Sequence, residues 1–260
     1  MSAIALTIAG SDPSGGAGVQ ADLKTFQQFG VYGEAVVTLL TVQNTQAVSE
    51  VHTLDPALVI RQIQAVIEDI PPAAAKTGAL GNVEIIEAVA ALAATFGFPL
   101  VVDPVMVSKH GARLLAPDAV TALRHKLLPR ALLLTPNLPE AEALTGRSIS
   151  TKEEMQAAAQ CLFDLGCPNV LIKGGHLPGQ PVDLLYSKSG VRFFEGTRVE
   201  TRHTHGTGCA YSAAITAGLA LGHALEQSVA QAKAFVQRAI ETAPGLGAGN
   251  GPLNFNTSAR

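Results

Sequence analysis

The stretch Ala3-Ile4-Ala5-Leu6-Thr7-Ile8-Ala9-Gly10-Ser11-Asp12-Pro13-Ser14-Gly15-Gly16-Ala17-Gly18 decides the fold class. Residues 3–8 form an apolar run of strand length, 10–18 a glycine-rich loop, and 20–29 reads as a helix. Strand, glycine loop and helix in that order open a β-α unit, and the alternation continues along most of the chain. Strands are expected at 36–42, 74–77, 100–103, 131–135 and 170–173. Helices are expected at 57–70, 83–95, 118–127, 140–144, 152–165, 207–221 and 225–241. Segments 183–186 and 191–194 read as an antiparallel hairpin at one edge. The pattern predicts an α/β fold with a mostly parallel central sheet covered by helices, in one domain spanning 1–260.

Composition narrows the function classes. A 260-residue chain can bury a substantial core, and its net charge of −3 with 15% charged residues leaves no basic surface for a nucleic-acid partner. The first ten residues lack the basic region of a signal peptide. Residues 83–102, the most apolar later stretch, are interrupted by Glu84, Glu87, Gly97 and Pro99 and read as helix then strand, so no membrane partner is expected. Cys161, Cys167 and Cys209 are an odd number without metal-ligand spacing, which suits a reducing compartment.

In open α/β sheets ligands bind beyond the carboxyl ends of the strands. Six expected strand ends carry polar or glycine motifs: Gly10-Ser11-Asp12, Gln43-Asn44, Lys76-Thr77-Gly78, Asp103-Pro104, Thr135-Pro136-Asn137 and Lys173-Gly174-Gly175. A seventh motif, His205-Gly206-Thr207-Gly208-Cys209, opens the long small-residue helix. Its unpaired amides and dipole suit an anion, and would lower the pKa of a thiol placed there. The alternative for these residues is a tight turn followed by a small buried cysteine. Lys173 reads as a point charge for a phosphoryl group or as a solvated strand-end lysine. Asp103 and Glu140 read as hard oxygen ligands for Mg²⁺, or as a turn cap and a helix N-terminal acid. Asp22 lies in a substrate pocket with the glycine loop, or serves the dipole of its helix. His205 supports the anion site, whereas the spacing of His203 and His205 makes a poor metal pair. Cys161 and Cys167 read as structural.

Taken together, Thr7-Ile8-Ala9-Gly10-Ser11-Asp12, the run from Gly15-Gly16-Ala17-Gly18 to Asp22-Leu23-Lys24-Thr25, Asp103-Pro104-Val105-Met106, Thr135-Pro136-Asn137-Leu138-Pro139-Glu140 and Thr204-His205-Gly206-Thr207-Gly208-Cys209 resemble the bacterial hydroxymethylpyrimidine/phosphomethylpyrimidine kinases of thiamine biosynthesis. The resemblance runs from about residue 3 to Gly251-Pro252-Leu253-Asn254. It implies a ribokinase-like three-layer α/β/α fold and ATP-dependent, Mg²⁺-assisted phosphorylation of 4-amino-5-hydroxymethyl-2-methylpyrimidine, first to the monophosphate and then to the diphosphate. It also implies a cytoplasmic homodimer whose small-molecule partners are the pyrimidine and ATP. By the same resemblance Gly10, Asp22, Val42 and Gln43 meet the pyrimidine, and Asp103 and Glu140 lie near Mg²⁺. Asn137, Lys173, Thr207 and Gly208 meet ATP, and Gly206, Thr207, Gly208, Cys209 and Lys173 form the anion hole, base and phosphate contact. Cysteine at the end of the last motif marks the vitamin-kinase branch, which also holds pyridoxal kinases, so pyridoxal phosphorylation is the alternative. Ser108, in a surface flap expected at 108–115 that includes Lys109, His110 and Gly111, stands where some pyridoxal-phosphorylating relatives carry a second cysteine.

Overall fold

The computed structural model describes residues 3–109 and 111–258; His110 of the expected flap lies outside the described residues. The first unit is β1 (Ile4–Ser11) and α1 (Gly18–Gln28), followed by β2 (Tyr32–Gln43), β3 (Val48–Thr53), α2 (Pro56–Asp69), β4 (Ala74–Thr77), α3 (Val83–Ala93) and β5 (Leu100–Val102). After α4 (Ala119–Ala122) come β6 (Leu133–Leu134), α5 (Leu138–Thr145), α6 (Lys152–Asp164) and β7 (Asn169–Ile172). The hairpin β8 (Val182–Ser187) and β9 (Gly190–Glu195) precedes α7 (Thr207–Ala220) and α8 (Leu225–Glu241). Among the described residues the nine strands form one sheet in the order β3-β2-β1-β4-β5-β6-β7-β8-β9. β2, β1, β4, β5, β6 and β7 run parallel to one another, whereas β3 at one edge and the β8-β9 hairpin at the other are antiparallel.

Successive strand residues point to opposite faces, and this alternation divides the core. Leu6, Ile8, Ala75, Val102 and Leu134 pack with Val59 and Ile63 of α2, Ile86 and Val89 of α3, Leu144 of α5 and Met155 of α6. Val101, Leu133 and Leu171 face the other way, onto Ile215 of α7 and Phe235 of α8. Ala5 meets Phe26 of α1 together with Ala213 and Ala217 of α7. The small residues of α7 let it approach its neighbours closely: a Cβ at Gly218 would fall 2.6 Å from Ser228 Oγ on α8.

Three elements depart from the sequence expectation. β2 starts at Tyr32, because pairing of Tyr32 with Ile4 in β1 draws Gly33 and Glu34 into the sheet. β3 was not expected; its residues are almost all exposed, so Val48-Ser49-Glu50-Val51-His52-Thr53 carries no buried alternation. The helix expected at 118–127 is α-helical only over α4 and continues as a π turn, Leu123–Leu127, and a 3-10 turn, Leu128–Arg130. Pro129, with no N–H, ends the ladder there.

Candidate active site

The carboxyl ends of β1, β2, β4, β5 and β7, the flap and the N-terminus of α7 surround one cavity of about 950 Å³. Gly206, the N-cap residue that precedes α7, has φ 83°, and no side chain caps the helix. A Cβ at Gly206 would lie 1.8 Å from the carbonyl oxygen of Gly16, so only glycine lets the first glycine loop close against the start of this helix. Thr207 turns its hydroxyl back to the Thr204 carbonyl at 2.7 Å. The N–H groups of Gly208 and Cys209 have no acceptor among the described residues. They are the open first-turn amides that favour an anion.

Lys173 leaves β7 through the parallel bridge of its own backbone with Asn137. Its Nζ lies 3.0 Å from Asp103 Oδ1 at the end of β5. Ser212 Oγ, from α7, donates to Asp103 Oδ2 at 3.1 Å. A Cβ at Gly208 would sit 3.2 Å from Lys173 Nζ and 3.9 Å from Asp103 Oδ2, which places this pair directly over the open amides. Burial acts to raise the Asp103 pKa, but Lys173 and Lys76 outweigh it and hold the carboxyl below the usual range. Glu140 behaves oppositely: burial pushes it up to about 7 against the pull of Lys173, with Asp103 adding to the rise. Glu140 Oε2 also accepts the Asn137 N–H at 2.8 Å while Asn137 Oδ1 accepts the Glu140 N–H at 2.9 Å, a reciprocal cap on α5. Glu140 therefore serves as the N-terminal acid of its helix, and the same side chain lines the cavity.

Gly10, Gln43, Asp103, Asn137, Glu140, Lys173, Gly206, Thr207, Gly208 and Cys209 all line this cavity; Asp22 and Val42 do not. Asp22 is sealed beneath the floor, because its position on α1 turns it to the sheet face that carries Thr7 and Lys76. Lys76 Nζ lies 2.9 Å from Asp22 Oδ2, and Thr7 Oγ1 donates to the same oxygen at 2.6 Å. Val42 points to the outer side of β2 and is half exposed. The thiol differs from expectation too. Burial pushes Cys209 up to about 12, outweighing the lowering influence of Lys76 and of the Gly18 N–H, with Asp22 and Asp103 adding to the rise.

Two residue groups were missed as chemistry. Lys76 was visible only as a strand-end residue, since nothing in Ala74-Ala75-Lys76-Thr77 marks which face it takes. Asp183 accepts the Gly174 N–H at 3.0 Å and pairs with Lys233 Nζ at 2.6 Å, holding β8 and α8 at the cavity edge. Residues 183–186 read only as an edge strand. Ser108 closes the flap turn by accepting the Ala112 N–H at 3.0 Å. Among the described residues no group of three or more His, Cys, Asp or Glu is arranged to hold a metal.

Comparison with known proteins places this arrangement. The family model described as phosphomethylpyrimidine kinase matches residues 12–254. The hydroxymethylpyrimidine/phosphomethylpyrimidine kinase of Bacillus subtilis is 46% identical over 253 residues, covering 96% of this chain and 93% of that protein. The thiamine biosynthesis bifunctional protein ThiED of Geobacter sulfurreducens is 49% identical over 98% of this chain, which spans only 52% of that longer protein. A structure of the pyridoxal kinase from Staphylococcus aureus in complex with AMP-PCP and pyridoxal superposes with a TM-score of 0.92 at 36% identity, covering 100% of this chain and 96% of that one. With its α/β sheet, glycine-opened α7 and cavity at the strand ends, the chain belongs to the phosphomethylpyrimidine kinase family.

Proposed function

We propose that this chain, as a single kinase domain over 1–260, transfers the γ-phosphoryl group of ATP to 4-amino-5-hydroxymethyl-2-methylpyrimidine, and then a second to the monophosphate. The observation that carries this reading is the stack at Gly208. Open amides, the Lys173 ammonium and the Asp103 carboxylate converge within 4 Å of a Cβ position at Gly208, the residue before Cys209. Phosphoryl transfer needs positioning and neutralisation of spreading charge more than covalent help, and this inventory supplies both.

In the first step the hydroxymethyl oxygen bonds to the γ-phosphorus while the bond to the β,γ-bridging oxygen breaks and ADP leaves with the electron pair. The hydroxyl proton passes to Cys209 Sγ. Because burial raises the thiol to about 12, only a small fraction is thiolate at neutral pH; Lys76 and the Gly18 N–H act to stabilise that form. Lys173 and the open Gly208 and Cys209 amides neutralise charge on the transferred group. Asn137 and Thr207 line the nucleotide side, and Gly10 and Gln43 the pyrimidine side. Asp103 and Glu140 fit Mg²⁺ as a pair of hard oxygen donors to an ion that otherwise keeps waters and phosphate oxygens, rather than as a full protein cage. Bound there, the ion would offset phosphate charge. In the second step the attacking phosphate oxygen is already largely ionised at pH 7 and needs no base.

Cys209→Ala tests the assignment. Single-turnover rates measured separately on the alcohol and on its monophosphate should show a first-step loss of about 10²-fold to 10⁴-fold with the second step largely spared. Equal loss of both steps would make Cys209 part of the anion site rather than the base. The close superposition on a pyridoxal kinase favours pyridoxal phosphorylation as a second reading. Mass analysis of products from each alcohol with ATP and Mg²⁺ separates the two. A homodimer in the cytoplasm completes the proposal. The dimer is supported by Leu40 and Val42, both half exposed on the same side of β2, and the location by the unpaired cysteines and by the lack of any described helix long and apolar enough to cross a membrane.

A further inference from the structure

Asp12, Gln43 and His205 come from three distant parts of the chain and meet at the cavity wall. Asp12 is saturated with donors. Its Oδ1 accepts the Ser14 N–H at 2.9 Å and the Ser14 hydroxyl at 2.7 Å, and its Oδ2 accepts the Gly16 and Ala17 N–H groups at 3.2 and 2.9 Å. His205 Nε2 lies 2.8 Å from the same Oδ2, both side chains being almost fully buried. A carboxylate gathering so many donors is ionised, so the ring nitrogen facing it carries a proton.

That proton fixes the next residue. The terminal carboxamide of Gln43 has one atom 3.1 Å from His205 Nε2 and the other 3.3 Å from Thr41 Oγ1. Oxygen and nitrogen are assigned to such positions by the partners they meet. A protonated Nε2 offers no lone pair to an amide N–H, so the carboxamide oxygen faces His205 and shares its proton with Asp12. The Thr41 hydroxyl donates to the Ser11 carbonyl at 3.0 Å and is thereby free to accept from the Gln43 amide nitrogen. Each contact in this relay then pairs a donor with an acceptor. The ring is packed closely at this point: it lies so near Gly16 that a Cβ there would fall 2.5 Å from His205 Cδ2, and the His205 N–H donates to the Gly251 carbonyl at 3.1 Å.

We infer that His205, clamped by Asp12, is the positioning residue that fixes which way Gln43 presents its carboxamide to the substrate. One amide hydrogen and one oxygen lone pair of Gln43 remain for a ligand edge with an adjacent acceptor and donor, as on an aminopyrimidine. This rests on the reading of Gln43 as the pyrimidine contact. Substrates lacking that paired edge gain nothing from the clamp.

A double-mutant cycle on the full chain tests it, reading KM for the hydroxymethylpyrimidine and for ATP in Gln43→Ala, His205→Phe, His205→Gln and the Gln43→Ala/His205→Phe pair. His205→Phe should raise the pyrimidine KM by about 10-fold to 100-fold, the loss expected of a misdirected polar contact, and leave the ATP KM near wild type. His205→Gln, whose amide nitrogen reaches the place of Nε2 and can donate to Asp12, should restore most of the affinity. In the Gln43→Ala background His205→Phe should add no further loss. Additive losses, or His205→Gln as poor as His205→Phe, would overturn the positioning role while leaving Gln43 in place. An unchanged pyrimidine KM in Gln43→Ala would instead remove the reading of Gln43, and the inference with it. If the phenyl ring does not fit beside Gly16, the same cycle with His205→Leu gives the same comparison.

Discussion

Two lysine–aspartate pairs among the described residues have nearly equal length, 2.9 Å for Lys76–Asp22 and 3.0 Å for Lys173–Asp103, and opposite surroundings, while a third, Lys233–Asp183, is shorter at 2.6 Å. The first is sealed at 0% exposure for both side chains, between the sheet and α1. The second ends in the cavity, where the lysine keeps 13% of its surface. A sealed pair can repay its desolvation only through its own geometry, and Asp22 Oδ1 has no partner among the described residues. The open pair can exchange part of its mutual attraction for a phosphate. Distance alone does not separate a pair that holds helix to sheet from one that handles a ligand; access does.

The largest expected effect is on stability. Lys76→Met leaves the Asp22 carboxylate buried and unpaired, which should cost about 3–5 kcal/mol in denaturant unfolding. Adding Asp22→Leu should recover most of that loss, since well-packed apolar side chains replace a buried pair at little cost. A Lys76→Met variant as stable as wild type would erase the distinction between the pairs. Lys173→Met should do the reverse. Unfolding should change less than in Lys76→Met, because Asp103 keeps the Ser212 hydroxyl as a donor and borders the cavity. Single-turnover rates of both phosphorylation steps should fall by about 10²-fold to 10³-fold, because charge on the transferred group is common to both. Loss of only one step would mean that Lys173 serves a particular acceptor rather than the phosphate.

The smallest effect sharpens the comparison at Cys209, which feels lysines and aspartates of both pairs. If Cys209 is the base of the proposed first step, a thiol pushed up to about 12 is charged in a fraction that grows as pH rises toward that value. The first-step rate should therefore increase by about 10-fold for each pH unit above neutrality, whereas the second step, whose phosphate oxygen is already ionised, should stay nearly flat. A first step flat over pH 7–9, with chemistry rate-limiting, would show that the proton leaves by another route.

The fold was legible in the sequence wherever burial imposed a pattern. Ala74–Thr77 and Leu225–Glu241 fall as expected, and the edge hairpin is where its turn residues put it. β3 was illegible because an exposed edge strand has no apolar alternation to read. The cavity wall was legible from glycine and polar residues at strand ends, since only there does the backbone require them. What could not be read was the side-chain direction of Asp22 and Lys76, which depends on how α1 lies against a strand some fifty residues away, and the protonation of Cys209. Helix-end amides pull the thiol one way and burial the other, and sequence displays only the amides.

Chain order adds a consequence for synthesis. The nine strands among the described residues all lie before residue 196, yet α7 and α8, which cover Val101, Leu133 and Leu171, begin at Thr207 and Leu225. A growing chain can thus complete its sheet while half of one face is still bare, with Phe235 and Ile215 not yet available to shield it. Nascent chains stalled just after β9 should be sticky and dependent on chaperones, and release of the last sixty or so residues should turn them soluble in a single event.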